Sequence, residues 1–298
     1  MLGSERYLLV SLGAFDIIVK LHPHYCGRPY ALVVELPISN LLANCQERIR
    51  IGNLHDGGYV LCAADLQDSD FLLSFGVSDD WTFEEAFRSL NSNSPIHAYD
   101  HTVDLIVFVK KSIGSFPRLL LKKITPREFK RRVFLPFSYS IFFQNNRVHF
   151  KEKVTSPAYR EAEVSIESIF DRTNSSSIFL KMDIEGSEYK VLSEIVGYSN
   201  RITGMVIEFH DIHSSVDKFL EGMVELAKYF DIIHVHGNNY GSVSDLHDVP
   251  NVIELTFSRK ETHDNRVEIL STPILGLDSP NNPQKVDLHF TISSAPLP

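Results

Sequence analysis

The segment that decides the fold is Ile178-Phe-Leu-Lys-Met-Asp-Ile-Glu-Gly-Ser-Glu-Tyr-Lys-Val-Leu192. Its first five residues are nearly all apolar, as in a strand that is covered on both faces of a sheet. Gly186 then opens a segment whose apolar residues recur at helical spacing, at Tyr189, Leu192, Ile195 and Val196. A buried strand that runs directly into an amphipathic helix is the repeating unit of a parallel α/β sheet.

The same alternation recurs on both sides of this segment. Seven strands are predicted, and they begin at Phe71, Ile96, Val148, Ile178, Gly204, Ile232 and Val252. Amphipathic helices are predicted after the first, fourth and fifth of these strands. The pattern predicts one doubly wound α/β domain over residues 50–298, preceded by an N-terminal extension over residues 1–49. A further strand is predicted at 286–292, near the end of the chain.

A basic segment interrupts this alternation between the second and third strands. From Lys110 to Arg132 there are nine Lys and Arg residues and a single acid, Glu128. We interpret the segment as a helical insertion at about residues 104–147. Such a segment is more often a solvated helix face than a binding surface. If it does bind, its charge favours an anionic ligand.

The overall charge limits the classes of partner. The 298 residues contain 38 Asp and Glu against 29 Lys and Arg, for a net charge of -9. This balance argues against a nucleic-acid-binding protein, which is expected to be basic. The apolar run from Tyr7 to Val19 is interrupted by Asp16 and is too short to span a bilayer, so no integral membrane segment is predicted.

The cysteines bear on the cellular compartment. Cys26, Cys45 and Cys62 are odd in number, widely spaced and without a Cys-x-x-Cys pair. Neither a disulfide framework nor a zinc site is predicted from them. A reducing, cytoplasmic location is therefore the expectation.

Polar residues follow nearly every predicted strand. In order along the chain they are Gly76, Val77 and Ser78, then Asp100 and His101, then Asp183 and Glu185, then Glu208 and His210, and then His234, His236, Asn238 and Asn239. Ligands of open α/β sheets bind at the carboxyl ends of the strands, so we expect one shared crevice there. Asp100 occupies the position of an acid that binds ribose hydroxyls, although it is also a possible loop cap. Gly76 fits either a close approach to a ligand or a tight turn, and the two asparagines fit either a sugar contact or a turn.

Histidines and carboxylates are the candidates for chemistry. Glu208 and His210 share one strand face, as do His234 and His236, because they are two residues apart. Together with Asp183 they are suited to provide a general base or the ligands of a divalent ion. The predicted metal ligands are Asp183, Glu208, His210 and His236.

The segment around Asp183 resembles a known family. Leu180-Lys-Met-Asp-Ile-Glu-Gly-Ser-Glu is similar to the Lys-x-Asp-x-Glu-Gly-x-Glu block of FkbM-type S-adenosylmethionine-dependent methyltransferases. Asp56-Gly-Gly-Tyr-Val, Phe75-Gly-Val-Ser-Asp-Asp and Tyr99-Asp-His-Thr support the resemblance, which extends over about residues 50–258. The chain departs from many such enzymes in lacking a Gly-x-Gly-x-Gly loop after the first strand.

The resemblance implies a class I methyltransferase-like (Rossmann-like) sheet with an antiparallel seventh strand. It also implies an O-methyltransferase that uses S-adenosylmethionine and modifies a hydroxyl of a sugar, glycan or related metabolite. The implied cofactor-binding residues are Gly76, Val77, Ser78, Asp100, His101 and Asp183. The implied acceptor-binding residues are Glu185, Asn238 and Asn239.

An alcohol is a weak nucleophile, so methyl transfer to it calls for activation. We expect His210 to be the general base, oriented by Glu208 or Asp183, with His236 as the second candidate. In a metal-assisted variant the four predicted ligands hold Mg²⁺, Mn²⁺ or another divalent ion that lowers the pKa of the hydroxyl. Two other classes remain open, a metal-dependent hydrolase or isomerase and a non-catalytic nucleoside-binding module.

Overall fold

A seven-stranded sheet with helices on both faces forms the centre of the molecule. The computed structural model describes residues 6–12, 15–21, 32–36, 41–241, 250–260 and 266–294. Its strands are β1 (Arg6–Leu12), β2 (Phe15–Leu21), β3 (Leu32–Leu36), β4 (Arg48–Gly52), β5 (Gly58–Cys62), β6 (Phe71–Phe75), β7 (Ile96–Tyr99), β8 (Arg147–Phe150), β9 (Lys153–Val154), β10 (Glu163–Val164), β11 (Ile178–Met182), β12 (Ile202–Phe209), β13 (Phe230–Gly237), β14 (Ile253–Arg259), β15 (Ile269–Thr272) and β16 (Phe290–Ser294). Its α-helices are α1 (Ala63–Gln67), α2 (Thr82–Leu90), α3 (Leu105–Ile113), α4 (Ser115–Leu120), α5 (Pro126–Phe142), α6 (Ile166–Asp171), α7 (Glu188–Val196) and α8 (Val216–Leu226).

The order of the strands across the central sheet is β13-β14-β12-β11-β6-β7-β8. β14 is antiparallel to both of its neighbours, and the other pairs are parallel. The chain runs outward from β6 to β8 and then returns to β11, so the order reverses between β6 and β11. Ligands of such sheets bind at this switch point. The doubly wound sheet with an antiparallel seventh strand, expected from the sequence, is confirmed.

Alternation along the central strands explains why both faces are apolar. Leu72, Phe179 and Val206 point to one face and pack in a cluster with α2 and the insertion helices. Leu73, Leu180 and Ile207 point to the other face and pack in a second cluster with α6, α7 and α8. Every residue of β6 and β11 is buried as a result.

Three helices, α3, α4 and α5, lie between β7 and β8. They occupy the segment that was expected to form a basic helical insertion. The insertion is anchored by Trp81, at the start of α2, whose ring packs against Phe108, Tyr139 and Phe142. No helix among the described residues is long and apolar enough to cross a bilayer.

Strands from the N-terminal and C-terminal parts of the chain pair outside the central sheet. β1 and β2 form a hairpin from the apolar N-terminal run, and β3 pairs in parallel with β16. The strand expected at 286–292 thus begins later, at Phe290. The expected division between residues 49 and 50 falls inside β4, and Leu41 and Leu42 pack in the main core.

Cys45 and Cys62 form a disulfide bond, which the sequence analysis did not predict. The two residues are 17 positions apart, and the antiparallel pairing of β4 with β5 helps to bring them together. Sequence spacing alone does not reveal such proximity. Because disulfides are rare in reducing compartments, the bond removes the argument on which the cytoplasmic expectation rested.

Candidate active site

The carboxyl ends of three neighbouring strands are joined by backbone hydrogen bonds. The amide of Gly76, after β6, donates to the carbonyl of Tyr99 at the end of β7 over 2.9 Å. The amide of Asp183, after β11, donates to the carbonyl of Phe75 over 2.9 Å. The predicted residues after the first, second and fourth strands of the domain therefore lie side by side at one edge of the sheet.

His210, just after β12, lies among four carboxylates. Its Nδ1 is 3.0 Å from Oε1 of Glu188. Its Nε2 is 3.5 Å from Glu208 Oε1, 3.6 Å from Glu185 Oε2 and 3.8 Å from Asp183 Oδ1. We call these five residues the His210 cluster. It unites the residues that were expected to meet here with Glu188, which was not among the expected site residues.

The charges of the cluster control the protonation of His210. Burial by itself would lower the pKa of the imidazole. The hydrogen bond to Glu188 and the charges of Glu208, Glu188 and Asp183 outweigh burial and raise this pKa to about 10. This shift favours the protonated imidazole at neutral pH. The general-base role expected of His210 would require it to lose this proton first.

Glu188 is a positioning residue that sequence reasoning missed. Its side chain is fully buried, and Oε1 accepts hydrogen bonds from the backbone amide of Ile184 and from His210. It thus fixes both the turn after β11 and the imidazole. The signal was present in the sequence, because Glu188 is the final acid of the Lys-x-Asp-x-Glu-Gly-x-Glu block. The backbone of the turn is left-handed at Glu185 and Gly186, and the side chain of Glu185 is 86% exposed.

Glu208 is held by two neutral partners. The Tyr59 hydroxyl donates to Oε2 over 3.2 Å, and the Asn238 amide donates to Oε1 over 2.8 Å. Burial, together with the charges of Asp183 and Glu254, holds the pKa of Glu208 well above its usual range. Burial likewise raises the pKa of Tyr59. Tyr59 was missed as a site residue, although it lies in the quoted Asp56-Gly-Gly-Tyr-Val motif.

The loop after β6 is organised by Asp100. Its Oδ2 accepts from the amides of Val77 and Ser78, at 3.1 and 2.8 Å, and its Oδ1 accepts from the amide and hydroxyl of Thr102. Although burial opposes ionisation, these four hydrogen bonds lower the pKa of Asp100. Both oxygens are thus occupied, so the expected ribose contact would require one of these bonds to open. His101, the next residue, is exposed.

Gly76 is required by the packing of the backbone. Its φ is +79°, and a Cβ atom built on it would lie 1.6 Å from the carbonyl oxygen of Asp183. Lys181 also ties the two strand ends together, because its Nζ donates to the carbonyl oxygen of Gly76 over 2.6 Å. The close approach of two backbone segments is thus a reason for a glycine here that differs from both expectations, a ligand contact and a tight turn.

Residues 129–243 match the family model of the methyltransferase FkbM domain. The match includes Asp183, Glu185, Glu188, Glu208 and His210. The match covers less than half of the chain, and it confirms the resemblance to FkbM-type methyltransferases that the Asp183 block predicted. No curated protein sequence matches the chain.

Several solved structures are similar to this chain at low sequence identity. The methyltransferase FkbM of Methylobacillus flagellatus is 16% identical, with 63% of this chain and 44% of that chain covered and a TM-score of 0.34. Precorrin-6y C5,15-methyltransferase of Geobacter metallireducens is 12% identical, with coverages of 66% and 87% and a TM-score of 0.34. The fibrillarin pre-rRNA processing protein of Methanococcus jannaschii is 11% identical, with coverages of 87% and 99% and a TM-score of 0.35. These identities and TM-scores are too low to assign a fold. The class I methyltransferase-like fold is therefore assigned from the strand order described above.

His236 lies apart from the His210 cluster. Its Nδ1 is 3.2 Å from Glu254 Oε2, and its Nε2 is 3.2 Å from Asp287 Oδ1. Glu254 stands between Glu208 and His236 in the register, because β14 separates β12 from β13. Two strand spacings place His236 about 10 Å from Glu208 along the sheet. The expected participation of His236 as a second base or fourth ligand does not agree with this geometry.

His234 and Asn239 are also engaged by the C-terminal segment. His234 Nε2 is 3.1 Å from Asp278 Oδ2. The Asn239 amide donates to the carbonyl of Asn282, and its carbonyl accepts from the amide of Asn282. Asn239 therefore anchors the C-terminal segment, whereas Asn238 reaches Glu208 and remains at the edge of the cluster.

One group of side chains in the described part of the chain has the geometry of a metal site. Asp183, Glu185 and His210 each offer one ligand atom, and these atoms lie within 4.8 Å of one another. The group contains Glu185 in place of the expected Glu208 and His236. Two carboxylates and one imidazole suit Mn²⁺, Fe²⁺ or Zn²⁺ as well as Mg²⁺. Glu188 Oε2 is buried and has no hydrogen-bond partner among the described residues.

Proposed function

We propose that this chain is an S-adenosylmethionine-dependent O-methyltransferase that modifies a hydroxyl of a sugar, glycan or related metabolite. The observation that carries the proposal is the His210 cluster, in which four carboxylates surround one imidazole at the carboxyl ends of β11 and β12. The match of residues 129–243 to the methyltransferase FkbM domain supports methyl transfer as the reaction. The acceptor class is taken from the resemblance of the sequence motifs.

The chemistry of the cluster fits a cationic cofactor. When bound, S-adenosylmethionine supplies an electrophilic methyl group on a positively charged sulfonium. Asp183, next to Gly76 at the switch point of the sheet, provides negative charge where such a cofactor binds in doubly wound folds. Val77 and Ser78 would border the cofactor, and Asp100 holds their backbone in place through its hydrogen bonds to their amides.

The same cluster fits a divalent cation. Asp183, Glu185 and His210 would hold it. Glu188 would orient the imidazole of His210 through its hydrogen bond with Nδ1. A divalent cation there would supply positive charge that lowers the pKa of an acceptor hydroxyl. The donor set, two carboxylates and one imidazole on neighbouring strand ends, is the argument for this arrangement.

A carboxylate of the cluster would take the proton of the acceptor hydroxyl. The acceptor oxygen would bond to the methyl carbon as the bond from that carbon to the sulfonium sulfur breaks, and the neutral thioether, S-adenosylhomocysteine, would leave. Asp183 is our assignment, because it adjoins Gly76 at the switch point of the sheet and its side chain is 29% exposed, while those of Glu188 and Glu208 are buried. Burial raises the pKa of Asp183 to about 6, which is near the range in which a general base works best.

Binding measurements and an activity assay test the proposal together. Isothermal titration calorimetry of the purified chain with S-adenosylhomocysteine, MnCl₂ or both should detect each ligand. Labelled S-adenosylmethionine offered with a panel of saccharides should give a methylated product that disappears with EDTA. Binding of Mn²⁺ without S-adenosylhomocysteine would favour the metal-dependent hydrolase or isomerase. Binding of S-adenosylhomocysteine without turnover of any acceptor would favour the nucleoside-binding module.

A matched pair of variants tests the metal ligands. Glu185→Gln should weaken Mn²⁺ binding by at least tenfold, since a ligand charge is lost, in line with the roughly 10–100-fold effects seen even for outer-shell changes. Glu221→Gln changes an exposed glutamate on α8, away from the cluster, and should leave Mn²⁺ binding unchanged. Equal affinities of the two variants would exclude Glu185 as a ligand.

A further inference from the structure

The insertion helices present apolar side chains to solvent instead of burying them. On α3 the exposed apolar residues are Leu105, Ile106, Val109 and Ile113, with exposed fractions from 41% to 65%. At 100° per residue these four positions fall within about 100° of the helix circumference. A surface helix normally turns such a stripe toward the core. On α3 the stripe faces outward.

The neighbouring helices repeat this arrangement. On α5, Phe134, Phe137 and Ile141 are 54%, 65% and 49% exposed and share one face. Arg127 and Lys130 lie on the same face one to two turns earlier, by helical spacing. On α4 and just after it, Phe116, Leu120 and Leu121 are 54%, 84% and 65% exposed. The insertion therefore carries a large exposed apolar surface, of the kind that marks interaction sites.

The same surface is strongly basic. Three of the nine cations make ion pairs, Lys111 and Arg131 with Asp79 and Arg132 with Glu128. The other six make no ion pair with any residue that the structure describes, and all are exposed: Lys110, Arg118, Lys122, Lys123, Arg127 and Lys130. This concentration of positive charge lies in a chain whose net charge is -9.

A groove opens between α4 and α5. Its volume is about 460 Å³, and its lining combines Arg118, Lys123 and Arg132 with Leu121 and Ile124. It lies in the insertion and contains no member of the His210 cluster. Cations beside aliphatic side chains match an anionic headgroup attached to acyl chains.

We propose that α3, α4 and α5 form a peripheral docking surface for a bilayer that contains anionic lipids. Interfacial helices combine an apolar face that enters the headgroup region with Lys and Arg that contact anionic lipids. A second copy of the chain fits less well, because two basic insertions would repel each other. A nucleic acid fits less well too, because the exposed apolar residues are mostly aliphatic and offer few rings for base stacking.

Docking would bring the candidate active site to the membrane surface. Lys111 and Arg131 pair with Asp79, which follows the Gly76–Ser78 loop, and Trp81 packs into the insertion. The insertion is thus attached directly to the loop beside the candidate cofactor site. An acceptor that resides in or on a membrane would meet the site in this orientation.

Vesicle co-sedimentation of the full chain tests the proposal. Binding is expected to vesicles of phosphatidylcholine with phosphatidylserine, to be weak with phosphatidylcholine alone, and to fall as salt is raised. The triple variant Lys122→Gln, Arg127→Gln, Lys130→Gln should bind the anionic vesicles about a hundredfold more weakly, at about fivefold for each cation. A control triple variant, Arg160→Gln, Lys218→Gln, Lys228→Gln, removes exposed cations elsewhere and should bind normally.

The apolar surface has its own matched variants. Phe134→Ser with Phe137→Ser should weaken vesicle binding by at least tenfold, whereas Leu275→Ser, at a fully exposed leucine outside the insertion, should not. Unchanged melting temperatures would establish that all variants fold. Equal binding to both types of vesicle, or equal binding by the basic triple variant and its control, would overturn the proposal. So would preferential binding to single-stranded RNA, full competition by inorganic phosphate, or self-association that the Phe variants abolish.

Discussion

Replacement of Gly76 by alanine tests the close junction between the ends of β6 and β11. The added Cβ would lie 1.6 Å from the carbonyl oxygen of Asp183 and 2.7 Å from its carbonyl carbon. These are backbone atoms, so relief requires the two strand ends to separate. The left-handed φ of +79° adds a second penalty. We estimate about 1–2 kcal/mol for the backbone conformation and about 1–3 kcal/mol for overpacking. The expected loss is therefore about 2–5 kcal/mol of the free energy of unfolding.

Gly276 supplies the matched control for this prediction. Its φ is +86°, but nothing lies within 4 Å of the position that a Cβ would take. Gly276→Ala should therefore cost only the backbone part, about 1–2 kcal/mol. Urea unfolding of the two variants, followed by circular dichroism, measures the difference. Calorimetry should also detect weaker binding of S-adenosylhomocysteine by Gly76→Ala. Equal stability losses for the two variants would refute the proposed backbone contact.

Three further predictions concern stability, acid–base behaviour and metal binding. Asp65 is buried and accepts a hydrogen bond from Ser258, and burial raises its pKa from 3.8 to about 7. The unfolded chain loses this proton first, so stability should fall by about 4 kcal/mol between about pH 4 and pH 7, at roughly 1.4 kcal/mol per pKa unit. Asp65→Asn should flatten this slope in urea titrations at a series of pH values, and an unchanged slope would disprove the assignment. The double change Cys45→Ala, Cys62→Ala removes the disulfide, which closes a loop with a sequence separation of 17, and should lower the free energy of unfolding by about 3 kcal/mol. A titration of free thiols in the wild-type protein that finds Cys45 and Cys62 reduced would contradict the bond. His210→Ala should abolish Mn²⁺ binding. His236→Ala should leave the affinity for Mn²⁺ within about threefold of wild type, because His236 is hydrogen-bonded to Glu254 and Asp287. Loss of Mn²⁺ binding in His236→Ala but not in His210→Ala would show that His236 is a ligand.

The sheet and the convergence of its strand ends were predictable from the sequence. Each central strand is short, apolar and followed by a turn or helix signal, and this local pattern determines a doubly wound fold. Asp183, Glu185, Glu208 and His210 were found because they directly follow or end such strands. Their mutual proximity then follows from the geometry of a parallel sheet.

The errors arose where contacts are not local. The distance of His236 from the cluster depends on β14. This strand is the last of the central sheet along the chain, but it lies between β12 and β13 in the sheet. The partners of His234 and Asn239, and one of the two partners of His236, come from a C-terminal segment 43 to 51 residues away. The disulfide likewise depends on the pairing of two strands outside the central sheet. Glu188 and Tyr59 were missed because both support the site from buried positions beside the strand ends.

Crystals grown with S-adenosylhomocysteine and Mn²⁺ provide the most direct measurement of the central claim. Anomalous diffraction at the manganese edge should give one strong peak bounded by the side chains of Asp183, Glu185 and His210, with the nucleoside in the same crevice beside Gly76. A manganese peak elsewhere, or a nucleoside bound away from these strand ends, would contradict the account.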